Sequence, residues 1–121
     1  MQKILIIEDD VYLRDIACQK LKALKFDIYE AIDGEDGLKK ISEIKPDLIL
    51  LDIVLPGIDG FEILKRKQEN QEIASIPVII LSNLGQKEEI DQGLKLGAKD
   101  YLIKAHFTLD EVLEKIKQIL G

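Results

Sequence analysis

Short apolar runs alternate along the chain with longer stretches in which apolar residues recur every three or four positions. The runs are Ile4–Ile7, Leu48–Leu51, Val78–Leu81 and Tyr101–Ile103. Each is too short for a stable helix and rich in branched side chains, the signature of a strand buried on both faces. Phe26–Ala31 differs, because Asp27 and Glu30 interrupt its apolar residues; it predicts a strand at the edge of a sheet. Helical spacing appears in Leu13, Ile16, Ala17, Leu21 and Leu24, and again in Leu38, Ile41 and Ile44. A third stripe, Leu109, Val112, Leu113, Ile116 and Leu120, follows Thr108 and Glu111, which are spaced as a capping box. Weaker patterns predict helices over 61–69, ahead of the polar stretch 70–75, and over 87–96, closed by Gly97. The alternation β-α-β-α-β-α-β-α-β-α, joined by right-handed crossovers, predicts one doubly wound α/β domain with helices on both faces of a five-stranded parallel sheet.

Composition narrows the function. The chain has 121 residues, one domain's worth, and no linker, repeat or low-complexity tract divides it. Its 17 basic and 23 acidic residues give a formal charge of −6, which argues against direct nucleic-acid binding, since phosphate recognition needs clustered Lys and Arg. No apolar run approaches the roughly 20 residues of a membrane span, so no membrane insertion is expected. The first residues lack the basic and apolar regions of a signal peptide. The one cysteine, Cys18, cannot close an internal disulfide, and a reducing cytoplasm is the expected compartment. Cys18 itself is expected to be partly packed within its helix.

In an open parallel sheet, ligands bind beyond the carboxyl ends of the strands. There the sequence places Glu8, Asp9 and Asp10 after the first strand, Asp52 after the third, Ser82 and Asn83 after the fourth, and Lys104 after the fifth. Carboxylates packed together raise one another's pKa unless a cation joins them, and Mg²⁺ takes oxygen ligands of this kind. Helix capping is the alternative reading of the triple acid and accounts for Asp10. Asp52 resists that reading, because it follows a strand directly and opens a loop. Lys104 is either a solvated lysine or the counter-ion of the acids. No glycine-rich phosphate cradle follows the first strand, and no Cys/His cluster suits zinc. A flavin mononucleotide would bring its phosphate onto the acids. His106, the only histidine, is expected to be a loop residue. Lys65, Arg66 and Lys67 are expected to form a solvated helix face.

Together Glu8-Asp9-Asp10, the segment Leu51-Asp52-Ile53-Val54-Leu55-Pro56-Gly57-Ile58-Asp59-Gly60, Ser82, and Gly97-Ala98-Lys99-Asp100-Tyr101-Leu102-Ile103-Lys104 resemble the CheY-like receiver domain of bacterial two-component response regulators. The likeness runs over essentially the whole chain. It implies a flavodoxin-like sheet of strand order 2-1-3-4-5, with Asp52 accepting a phosphoryl group from a sensor histidine kinase or phosphotransfer protein. It further implies that Asp9 and Asp52 hold Mg²⁺ with the Val54 carbonyl, Glu8 acting through water. Lys104 would pair with Asp52 and then with the phosphoryl group, and Ser82 would bond a second phosphoryl oxygen. Tyr101, otherwise a half-buried strand residue, stands at the family's switch aromatic. It would rotate inward on coupling to Ser82, reshaping the face formed by 87–96, 101–103 and 108–120 for a downstream protein or a phosphorylation-dependent homodimer.

Four positions depart from or modulate the pattern. Ala105 replaces the usual proline after the lysine; a cis bond there costs about 3 kcal/mol, so trans is expected. Asn83 replaces a small residue and is expected to narrow access. Val54 and Leu84, at positions that influence hydrolysis in the family, are apolar and cannot orient an attacking water. The competing reading is a protein-binding or dimerisation module of the same fold that never uses phosphate, against which the intact Asp9, Asp52, Ser82 and Lys104 set argues. A phosphatase is disfavoured because no acid stands two residues after Asp52, and no turnover of a separate substrate is expected. The chain's end leaves three readings open: a complete single-domain regulator, a relay intermediate, or a piece of a longer protein.

Overall fold

The computed structural model describes all 121 residues, in the order β1 (Lys3–Ile7), α1 (Val11–Ala23), β2 (Asp27–Ala31), α2 (Gly34–Ile44), β3 (Leu48–Leu51), α3 (Gly60–Glu69), β4 (Val78–Ser82), α4 (Lys87–Lys95), β5 (Asp100–Ile103) and α5 (Leu109–Leu120). All five strands are parallel in the order β2-β1-β3-β4-β5, so the mixed segment around Asp27 and Glu30 does lie at an edge. No helix is long and apolar enough to cross a membrane.

Alternation along the strands explains their uninterrupted apolar sequences. Leu5 and Ile7 of β1 pack with Ile49, Leu51 and Ile80 beneath α2 and α3, while Ile4 and Ile6 pack with Leu48, Leu50, Ile79 and Leu81 beneath α1 and α5. Both faces of the central strands are therefore core, as the period of two requires. Helix ends follow the expected chemistry. Asp10 caps α1 by accepting from the N–H groups of Tyr12 and Leu13, Thr108 and Glu111 form the capping box of α5, and Gly97 takes a positive φ of 103° just past α4.

The basic run in α3 corrects one expectation. Lys65 and Arg66 are exposed, but Lys67 is buried and its ammonium donates to the Ala74 carbonyl at 2.8 Å. Position 67 falls three and four residues after Leu64 and Ile63, so the helix period turns it into the core, and burial pulls its amine's pKa down. Cys18 is more deeply packed than expected: it is buried on the inner face of α1, and burial first, then the neighbouring Glu30, pushes its thiol up to about 12.

Candidate functional site

Sheet register carries the acids to one place. The Glu8 N–H donates to the Ala31 carbonyl and the Asp52 N–H to the Ile7 carbonyl, so both residues sit one step beyond the paired strands. Gly60, at the start of α3, lets that helix close beneath the Asp52 loop; a Cβ there would lie 2.7 Å from the Asp52 carbonyl oxygen. The resulting cleft, of about 270 Å³, is lined by Glu8, Asp9, Asp10, Asp52, Val54, Asn83 and Lys104.

Lys104 lies in a short 3₁₀ turn after β5, and every peptide bond of the chain is trans, that before Ala105 included. Its ammonium bridges two buried carboxylates, 2.8 Å from Asp52 Oδ2 and 2.9 Å from Glu8 Oε1. The counter-ion reading of this lysine therefore prevails over the solvated one. Glu8 also accepts from the Asp10 N–H at 3.1 Å, and Asp52 Oδ1 makes a long 3.3 Å contact with the Val54 N–H. Burial, then the charge of Asp52, pushes the Glu8 carboxyl up to about 7 despite its hydrogen bond to Lys104. Burial lowers the Lys104 ammonium, but its hydrogen bonds to Asp52 and Glu8 outweigh that and raise it overall. Asp9 is exposed, and carboxylate oxygens of Glu8, Asp9 and Asp52 lie within 4.8 Å of one another. Three carboxylates against one ammonium leave a deficit of two charges when all are ionised, the charge of one divalent cation. The donor set is all oxygen and open to the cleft, so it fits a hard cation.

Ser82 ends β4 fully buried, and its hydroxyl accepts from the Leu84 N–H at 3.2 Å. Tyr101 differs from the expectation of a half-buried residue that later turns in: its ring is already buried and its hydroxyl donates to the Leu84 carbonyl at 2.6 Å. The physical reason is room and a partner. α4 presents Gly93 to the ring, where a Cβ would come within 2.8 Å of Tyr101 Cδ2, and a buried hydroxyl needs an acceptor. Ser82 and Tyr101 thus pin the two sides of residue 84. Tyr101→Phe should cost about 1 kcal/mol of stability and speed amide exchange over residues 83–86, read by urea denaturation and hydrogen exchange. Unchanged exchange there would show that the hydroxyl does not hold the loop. Asn83 and Val54 are exposed at the cleft mouth, Leu84 is half-buried, and His106 is exposed. Arg14, which the sequence reading passed over, reaches the site from α1 and donates to the Glu8 carbonyl; a cation just behind three acids is the signal that could have flagged it.

A five-stranded parallel sheet with an acid cluster and a half-buried lysine at its carboxyl edge defines a class of phosphoacceptor signalling domains, and comparison with known proteins agrees. Residues 4–117 match the family described as response regulator receiver domain. The chain is 38% identical over 120 residues to the DNA-binding dual master transcriptional regulator RpaA of Synechocystis, covering 99% of this chain and 49% of that protein. It is 34% identical to the phosphate regulon transcriptional regulatory protein PhoB of Escherichia coli, over 98% of this chain and 52% of the relative. Among solved structures, a CheY-like response regulator receiver domain protein from Methanospirillum hungatei superposes with a TM-score of 0.91 at 29% identity, covering 99% of this chain and 94% of that one. The Francisella response regulator 1452 receiver domain gives 0.88 at 34% identity, covering 98% and 96%. The chain belongs to the receiver-domain family of two-component response regulators, whose members act as phosphoacceptor switches. It spans about half the length of the curated relatives it matches.

Proposed function

We propose that residues 1–121 form one receiver domain in which Asp52 accepts the phosphoryl group, with Asp9, Asp52 and the Val54 carbonyl holding Mg²⁺ and Glu8 assisting through water. The observation that carries this reading is the Lys104 ammonium bridging Asp52 and Glu8 while Asp9 stands beside them, unpaired, in an open cleft. Asp52 Oδ2 is engaged by Lys104, and Oδ1 carries only the long contact with Val54, which leaves it the freer nucleophile. Attack on a phosphohistidine of a sensor kinase or phosphotransfer protein forms an O–P bond as the donor's N–P bond breaks. The imidazole leaves with the electron pair and takes up a proton. Bound Mg²⁺ would supply charge neutralisation across acceptor and phosphoryl oxygens. Lys104 then moves its bond from the carboxylate to a phosphoryl oxygen, and the Ser82 hydroxyl donates to another. That last bond exists only in the modified state and so biases a two-state equilibrium.

The face made by α4, β5 and α5 is the proposed output surface, for a downstream protein or a second copy of the chain. With a charge of −6 the domain is proposed not to touch nucleic acid directly and to work in the cytoplasm. The test is intact mass after incubation with a small-molecule phosphodonor: one phosphoryl adduct with Mg²⁺ and none without it. A folded protein that binds Mg²⁺ and forms no adduct would favour the phosphate-independent binding module. Exposed Val54 and half-buried Leu84 offer no polar group to an attacking water, so the phosphoryl group should be long-lived. The double substitution Val54→Asn with Leu84→Glu should shorten its lifetime by about tenfold or more, followed by phosphate release. An unchanged lifetime would remove these two positions from the account.

A further inference from the structure

Arg14 stands where helix physics disfavours a cation. α1 begins at Val11, its first turn carries no acid, and the positive end of the helix repels a guanidinium one turn in. The side chain nonetheless turns back toward that end and is only 13% exposed. Its Nη1 donates to the main-chain carbonyl of Glu8 at 2.9 Å, and its Nε lies 3.3 Å from Glu30 Oε1 on β2. The main chain at Glu30 is held in turn, since its carbonyl accepts from Lys40 of α2.

The carbonyl that Arg14 holds belongs to the peptide unit joining Glu8 to Asp9. That unit lies beyond β1 and before α1, and the guanidinium makes its only protein hydrogen bond. A peptide unit is planar, so fixing the carbonyl also fixes where the Asp9 nitrogen and Cα lie, and with them the point from which the Asp9 side chain leaves the main chain. We infer that Arg14 is a positioning residue for the cation site: oriented by Glu30 and acting through the Glu8 carbonyl, it sets the Glu8–Asp9 peptide so that Asp9 converges with Asp52. The inference rests on the reading of Asp9 and Asp52 as Mg²⁺ ligands.

Charge and position predict opposite signs. A guanidinium acting only through its charge repels a divalent cation, so its removal tightens binding. A guanidinium that positions a ligand weakens binding when removed, as outer-shell partners of metal ligands do. The experiment is Mg²⁺ titration calorimetry on the 121-residue chain and its Arg14→Gln, Arg14→Lys and Asp9→Asn variants, with melting temperatures for each. Arg14→Gln should raise the Kd about tenfold even though a cation has been lost. Arg14→Lys keeps the charge but not the fork, and should recover part of that loss. A lower Kd in Arg14→Gln overturns the inference, and so does a lowered melting temperature with an unmoved Kd. Should Arg14→Gln fail to fold, a wild-type Kd in Arg14→Lys overturns it instead. Asp9→Asn separates the two failures. If it binds Mg²⁺ as the wild type does, the cation site is misplaced; if it alone is crippled, only the role of Arg14 falls.

Discussion

Asp52→Asn should form no phosphoryl adduct under conditions that modify the wild type, a loss in rate of at least about 10³-fold, and should remain folded. An amide of the same shape has no anionic oxygen to attack phosphorus, so the chemistry stops while the packing stays. Lys104 keeps Glu8 at 2.9 Å as its partner, so no buried charge is stranded. Asp52 is also the group whose charge, after burial, pushes Glu8 up to about 7; its removal should let Glu8 titrate lower. Intact mass with and without Mg²⁺ reads the first effect, and carboxyl NMR titration the second. An adduct on Asp52→Asn at the wild-type rate would move the acceptor to another carboxylate of the cleft.

Lys104→Met should have the largest effect on stability, and the effect should depend on pH. The substitution leaves Glu8 and Asp52, both buried, without the cation that joins them, and breaking a buried pair in this way costs about 3–5 kcal/mol. The sign follows from Glu8. Its pKa is raised from 4.5 unfolded to about 7 folded, so the folded state binds more protons between those values and stability falls as pH rises through that window. Without Lys104 the folded pKa rises further, because the lysine's hydrogen bond and charge both lower it. At pH 5 Glu8 is protonated in the variant and only Asp52 is left without its cation, so the loss should be smaller; at pH 8 it should approach the full figure, and Mg²⁺ should restore much of it. Urea denaturation at the two pH values, with and without the metal, gives the comparison. An equal loss at pH 5 and pH 8 would mean that Lys104 contributes packing rather than charge.

Strand positions were legible because burial on both faces forces runs such as Leu48–Leu51, and the mixed Phe26–Ala31 marked its own place at the edge. Asp52, Ser82 and Lys104 were legible as strand ends. Lys67 was readable too, since its spacing from Ile63 and Leu64 matches the helix period, but its charge suggested solvent. Other features leave no trace in residue types. The inward ring of Tyr101 depends on space over Gly93 and on one carbonyl, and Arg14 finds a main-chain oxygen whose identity is independent of side chains. The Lys104 bridge to Glu8 needed the distance between two turns that lie 96 positions apart.

The buried Cys18 makes the chain a gauge of its own opening. With a thiol pushed up to about 12 and shielded on the inner face of α1, the folded form should be nearly inert to an alkylating reagent, and the chain has no second cysteine to confuse the reading. Labelling then proceeds only through molecules that have transiently opened, at a rate set by the opening equilibrium when reclosing is fast. A ligand that binds only the closed form must slow that labelling by the factor by which it shifts the equilibrium. Added Mg²⁺, a phosphoryl group or a docked partner could each be weighed this way in a dilute, unlabelled sample.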